Sequence, residues 1–325
     1  MFYDFWYAEK ANWFLKFFLS PFSGIYRWIS SYNYRRSYKN KFESQKVIAV
    51  GAITVGGSGK SIVVESLAGF LGMLEKKCAV LSAGYGRSSR KVLAADADMH
   101  TCADVGDEPL MLSQKGLDVF VAKDRSRSAA LAKSKGIYDV FLLDDGICQK
   151  YLQPDIKFLV IDAHQGFGNG EMLPLGPNRL DIDAVKHDID AVILLTYQSE
   201  YDFSSLRAKI PDSLPIIMGR LLQDFSQVND QERYFAFCGI GYPKKFFDSI
   251  ADTLTIVKQM AFPDHYPFSD TEIINLLDKA RLLDAKLLTT EKDLARIPKR
   301  YHHLIATIPV KVVWYDNEKV VSYLR

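Results

Sequence analysis

Residues 47–71 read VIAVGAITVGGSGKSIVVESLAGFL. The apolar run Val47 to Val50 predicts a buried strand, and Val63, Val64, Leu67, Phe70, Leu71 and Leu74 recur beyond it at helical spacing. Between them lies the loop Thr54, Val55, Gly56, Gly57, Ser58, Gly59, Lys60, Ser61. Strand, glycine loop and helix form the context that a phosphate-binding loop requires. Its glycines let backbone N–H groups curl round an anion, the helix N-terminus adds partial positive charge, and Lys60 reaches the outer phosphates. Ser61 then stands where it can hold Mg²⁺. The strict spacing G-x-x-x-x-G-K-[ST] puts Thr54 where the first glycine belongs, so the loop is a variant. The competing reading is a Gly-rich turn with an incidental lysine.

Further apolar runs follow at Ala79 to Leu81, Val119 to Ala122, Val140 to Leu143, Phe158 to Ile161 and Val192 to Leu195, separated by helical or turn-rich segments. This alternation predicts an α/β fold with a mainly parallel sheet covered on both faces, the α/β/α layering of a P-loop NTPase. A second set of strands is expected from Phe235 onward, through LTIVKQM, AKLLTTEKD and VKVVWYD. The polar stretch LLQDFSQVNDQERY suggests a boundary near residue 225. Three regions result: an N-terminal segment, 1–46; a P-loop domain, 47–224; and a smaller α/β C-terminal lobe, 225–325.

With 325 residues, 48% of them hydrophobic, the chain can bury a full core. Its net charge of +2 supplies no field that demands nucleic acid, and none is expected as a partner. The cysteines Cys78, Cys102, Cys148 and Cys238 lie far apart without a C-x-x-C pair, which argues against a disulfide framework or zinc ribbon and for a reducing compartment.

The first 46 residues hold 16 of the chain's 41 aromatic residues (20 Phe, 17 Tyr, 4 Trp). Only ten uncharged residues separate Lys16 from Arg27, and Pro21 interrupts them, too short a run to span a bilayer. Trp13, Phe14, Phe17 and Phe18 fall on one helical face. Arg27, Arg35, Arg36, Lys39, Lys41 and Lys46 follow, opposed by the single Glu43. That combination suits an anionic membrane surface. A helix packed on its own domain is the alternative.

A nucleotide-binding loop needs a carboxylate from a second strand, and YDVFLLDDG supplies Asp144, with Asp145 next to it at the strand end. Asp145 also reads as a turn residue ahead of Gly146. Upstream, GDEPLML places Asp107 and Glu108 side by side. Adjacent residues point apart, so one can serve a metal and the other a nucleophile. A helix N-terminus capped by Asp explains them equally well.

Together the motifs TVGGSGKS, AGYGR, GDEP, DR, LLDDG, GNGEMLPLGP, PDHYPF and TTEKD, in this order over nearly the whole chain, resemble the tetraacyldisaccharide 4'-kinases. The resemblance implies an ATP- and Mg²⁺-dependent transfer to an acylated glucosamine disaccharide in lipid A biosynthesis, at the cytoplasmic face of a bacterial inner membrane. It implies that Lys60 and Ser61 serve the ATP phosphates and Mg²⁺, with Glu108 and Asp144 on the metal side. Asp107 corresponds to a general base paired with His265 of PDHYPF. Asp145, Tyr85, Arg125 and Arg179 match further active-site, nucleotide- or lipid-facing positions. One departure stands out: where the family reads D-D-G-F-Q-H this chain reads DDGICQK, with Cys148 and Gln149 at the Gln and His positions and Leu152 and Asp155 keeping the downstream spacing. The alternative is a membrane-associated P-loop switch or partitioning ATPase, whose deviant loop K-G-G-x-G-K-[ST] has a lysine where this chain has Val55.

Overall fold

The computed structural model describes residues 2–7, 13–198 and 200–325, with the side chains of residues 2–4 and 13–15 outside the described set. β1 (Lys46–Gly51), β2 (Cys78–Ser82), β3 (Leu93–Ala94), β4 (Val119–Val121), β5 (Val140–Asp144), β6 (Ile156–Asp162), β7 (Ala191–Thr196) and β8 (Ile216–Gln223) build the large sheet. Strands β9 (Arg233–Cys238), β10 (Thr255–Ala261), β11 (Lys286–Thr290) and β12 (Ile305–Ile308) build a smaller one, and β13 (Val310–Trp314) follows.

The large sheet has the order β13-β8-β7-β6-β1-β5-β2-β4-β3. β1 pairs in parallel with β5 on one side and β6 on the other. Every residue of β5 and β7 is buried, as expected for parallel strands covered on both faces. From β1 the chain first builds toward β2 and only later toward β6. The crevice at the carboxyl ends of the strands beside β1 is therefore the switch point at which such sheets bind ligands. The helix Lys60–Met73 buries Val63, Val64, Leu67, Ala68 and Leu71 in the core above the sheet.

The smaller sheet is parallel throughout, in the order β10-β9-β11-β12. Alternate residues of β9 feed opposite faces. Tyr234, Ala236 and Cys238 pack on Phe246, Phe247 and Ile250 of the helix Pro243–Ala251. Phe235 and Phe237 pack on Ile273, Leu276 and Ala280 of the helix Asp270–Leu282.

The C-terminus departs from the expected division. VKVVWYD, placed by its sequence in the second lobe, forms β13 and pairs antiparallel with β8, Val312 opposite Leu221. Trp314, Val320 and Leu324 join the core cluster of the helix Lys60–Met73, and Trp314 donates to Ser66 Oγ at 2.8 Å. The physical reason is an exposed edge: β8 would otherwise present an unpaired ladder, and the apolar face of the loop's helix an open side. Residues 310–324 thus belong to the large sheet's layer.

The helix Trp13–Tyr34 lies on the loop that follows β6. Ser23 Oγ donates to the Met172 carbonyl at 3.0 Å, Lys16 pairs with Glu171 at 2.9 Å, and Tyr34 is buried. The other face is exposed: Phe17 and Trp28 are each 72% exposed, with Phe18, Phe22, Ile25, Ile29 and Tyr32 beside them. Among the described residues no helix is long and apolar enough to cross a membrane. The side chains of Trp13 and Phe14, expected on this face, lie outside the described residues.

Candidate active site

The loop after β1 is shaped by its glycines and by a partner segment. Gly59 takes φ 87° directly before the helix, and a Cβ there would lie 2.6 Å from Leu195 Cδ1, so only glycine fits. Thr54 needs no such freedom. It forms an isolated antiparallel bridge with Asn178, and Val55 N donates to the Pro177 carbonyl at 2.8 Å. Pro177, at the end of GNGEMLPLGP, and the next residue Asn178 thus splint the start of the loop. Ser61 is buried at the helix start, and Ser58 Oγ is buried without a partner among the described residues.

AGYGR and GDEP meet through their backbones. Gly84 and Gly106 have φ of 65° and 94°, and a Cβ on Gly106 would lie 2.9 Å from Gly84 Cα. That approach brings Tyr85 and Asp107 to one rim of the cleft. The helix Asp107–Gln114 starts at the acidic pair, but its N-cap is Gly106 and no side chain caps it, so the Asp-cap reading does not hold; both carboxylates are engaged across the cleft instead.

His265 Nδ1 lies 2.7 Å from Asp107 Oδ2, and Arg296 Nε donates to the same oxygen at 2.6 Å. Lys292 Nζ donates to Glu108 Oε1 at 3.2 Å. Burial alone would push the Asp107 carboxyl up, but the His265 hydrogen bond and the Arg296 guanidinium outweigh it and hold the group down at about 2. Burial likewise opposes ionisation of Glu108, and Lys292 and then Lys60 lower it below the ordinary value. Tyr85 stands over the pair, its ring centroid 5.8 Å from that of His265.

At the end of β5, Asp144 is buried; one carboxylate oxygen accepts from Ser82 Oγ at 3.2 Å and the other, Oδ1, has no partner among the described residues. Burial, followed by the charges of Glu108 and Asp145, pushes its carboxyl up to about 7. Asp145 opposes its own burial with better partners. Arg179 grips it with both terminal nitrogens, at 2.8 and 2.9 Å, and Lys60 Nζ lies 4.0 Å away, so its carboxyl falls well below the usual range.

Four described non-glycine residues have positive φ: Glu75, Asp145, His265 and Asp284. Glu75 and Asp284 follow helix ends, where a left-handed residue is routine. Asp145 and His265 stand in the cleft, held by the contacts above. Such strain is characteristic of functional sites.

Two further expected residues make main-chain contacts. Arg125 is buried and donates to the carbonyls of Ala122, Lys123 and Asp144, at 3.1, 3.2 and 3.3 Å. Its guanidinium thus braces the end of β5 through main-chain acceptors, near the charges of Asp144 and Asp145. Lys46, counted with the basic N-terminal residues, donates to the Tyr323 carbonyl at 2.8 Å. At the departure from the family pattern, Gln149 is buried and closes its own turn, accepting from Tyr151 N and Leu152 N at 2.8 and 2.9 Å. Cys148 is exposed and lines a cavity of about 190 Å³ with Tyr26, Asn33 and Arg179.

Sequence reasoning missed Lys292, Asp293 and Arg296. The available signal was TTEKD at the end of a strand: Thr290 caps the helix Glu291–Leu294 and accepts from Asp293 N, which aims Lys292 and, beyond the helix, Arg296 at the first lobe.

A family model described as LpxK, tetraacyldisaccharide-1-P 4'-kinase, matches residues 15–325. The chain belongs to that kinase family. A tetraacyldisaccharide 4'-kinase of Rhodopseudomonas palustris (strain BisA53) is 34% identical over 97% of this chain and 92% of its own length. One from Rhodospirillum centenum is 35% identical over 97% and 93%. The fold matches that of LpxK from Aquifex aeolicus, solved in complex with ATP, at a TM-score of 0.75 and 24% identity over 95% of this chain and 98% of that one. The family match thus spans both lobes.

Proposed function

We propose that this chain transfers the γ-phosphoryl group of ATP to the 4'-hydroxyl of a tetraacylated glucosamine disaccharide 1-phosphate, a step of lipid A biosynthesis. The observation that carries this reading is the meeting, in one cleft, of the phosphate loop and the Asp107–His265 pair, drawn from two lobes. Phosphoryl transfer is mainly positioning and charge neutralisation. Lys60 follows the migrating charge, and the Asp107–His265 pair takes the sugar hydroxyl's proton. Arg179 keeps Asp145 ionised beside Lys60 and so fixes where that ammonium can reach.

The residues present fit Mg²⁺. Among the described residues Asp144 Oδ1 is buried without a partner, and burial, followed by the charges of Glu108 and Asp145, raises its carboxyl, a setting that a cation would relieve. Ser61, Asp144 and Glu108 would hold the ion, a hard-oxygen set completed by phosphate and water. When bound, it supplies neutralisation of phosphate charge.

In detergent, ATP labelled at the γ-position is expected to pass its label to the acylated disaccharide monophosphate. Label released only as inorganic phosphate would instead support the switch ATPase.

The substrate's acyl chains stay in a bilayer, and the exposed aromatic face of the helix Trp13–Tyr34 suits an anionic membrane surface, with Arg35, Arg36 and Lys41 exposed beside it. Phe17→Asp with Phe18→Asp is expected to weaken sedimentation with anionic liposomes at all salt concentrations, because buried apolar area is insensitive to screening. Arg35→Glu with Arg36→Glu is expected to weaken it mainly at low salt. Turnover of a short-chain, water-soluble acceptor should survive both changes. Wild-type sedimentation by the Phe variant would reduce the helix to a packing element. The peripheral placement at the cytoplasmic face rests on this reading.

A further inference from the structure

The catalytic pair is assembled from opposite lobes, so something must set their separation. Asp107 begins a helix of the first lobe, and His265 sits in a turn of the second, 158 residues later. One side chain touches both supports. Arg296 is almost fully buried and uses its guanidinium on two fronts. Nη1 donates to the Gly239 carbonyl at 2.7 Å and to Asp293 Oδ1 at 3.0 Å, both within the second lobe. Nε donates across the cleft to Asp107 Oδ2 at 2.6 Å. The Gly239 carbonyl also accepts from His265 N at 3.1 Å, so the acceptor that anchors Arg296 fixes the backbone of His265 as well. Asp293 locks the corner by accepting from Gly239 N at 2.9 Å.

We infer that Arg296 is a positioning residue of the transfer reaction, a rigid fork that holds Asp107 of the first lobe in register with His265 of the second. The guanidinium is planar, and its donors are fixed relative to one another, so the distance from Gly239 to Asp107 is set by covalent geometry. Lysine keeps the charge, but one ammonium on a flexible stem cannot hold Gly239, Asp293 and Asp107 along the same fixed plane. The contact exists only while the lobes touch, so competence of the pair and closure of the cleft are one event. Asp107 accepts from both donors on a single oxygen, and loss of the fork removes one of those two donors.

This role rests on the kinase reading, and its test separates the two. Arg296→Lys and Arg296→Met are compared with wild type for label transfer, for KM of both substrates, for affinity toward a non-hydrolysable ATP analogue and for Tm. Arg296→Lys is expected to lower kcat by about 10-fold to 100-fold, with the affinity for the analogue unchanged, because misplacement near a reacting centre acts on turnover. In a His265→Ala background the same substitution is expected to cost little, since the register it maintains is already useless. Free guanidinium at concentrations below those that perturb Tm should restore part of the activity of Arg296→Met only where His265 is present. Wild-type turnover by Arg296→Lys would overturn the inference. So would an equal fold-loss in the wild-type and His265→Ala backgrounds, the signature of a merely structural arginine. Wild-type protein that transfers no label would overturn the kinase reading itself, and this role with it.

Discussion

Asp107→Asn is expected to lower kcat by about 10²- to 10⁴-fold, the range for loss of a general base, while leaving ATP affinity intact. Asparagine preserves the shape, but its oxygen is a weaker acceptor than the carboxylate oxygen that meets both His265 Nδ1 and Arg296 Nε. If its amide nitrogen faces them instead, donor meets donor. Either way the imidazole loses the partner that fixes its orientation. His265→Ala should fall in the same direction. Because the two residues act as a unit, the double variant should lose far less than the product of the single losses. Steady-state kinetics of the four proteins, with affinity for an ATP analogue measured alongside, decides it. Fully multiplicative losses would separate the pair.

Lys60→Ala carries the other large effect. The ammonium stands at the start of the helix Lys60–Met73, 4.0 Å from Asp145 and largely buried. Removing it takes away the cation that follows the migrating phosphoryl charge, a contribution of about 10²-fold or more in rate. Asp145 keeps its paired hydrogen bonds from Arg179, so the carboxylate should remain in place and the fold should hold. Label transfer and Tm, measured together, test both halves. A Lys60→Ala enzyme with near-wild-type turnover would remove the loop from the mechanism.

Much of this was legible before any coordinates. Short-range patterns identified β1, the loop and its helix, because the signals that make them are local: an apolar run, glycines that alone tolerate Gly59's φ, and helical spacing of Val63, Leu67 and Leu71. Asp144, at the end of a run of fully buried residues, and the adjacent pair Asp107 and Glu108 stood out for the same reason. β8 did not. Its residues alternate between buried and partly exposed, a pattern set by its place near the sheet's edge, and its partner β13 comes from the far end of the chain.

By itself, the sequence determined which chemical groups the protein owns and the local conformations that display them: the phosphate loop, the carboxylates at strand and helix ends, an aromatic N-terminal helix. Tertiary structure alone decided which charge meets which. Arg296 reaches Asp107 across 189 residues, Lys292 reaches Glu108 across 184, and Arg179 takes Asp145 across 34. It also turned Arg125 inward onto main-chain carbonyls and returned β13 to the first sheet. The reason is physical. A propensity or a periodicity reports on neighbours a few residues away, whereas an ion pair depends on the distance and burial of two groups, and these exist only once both lobes have packed.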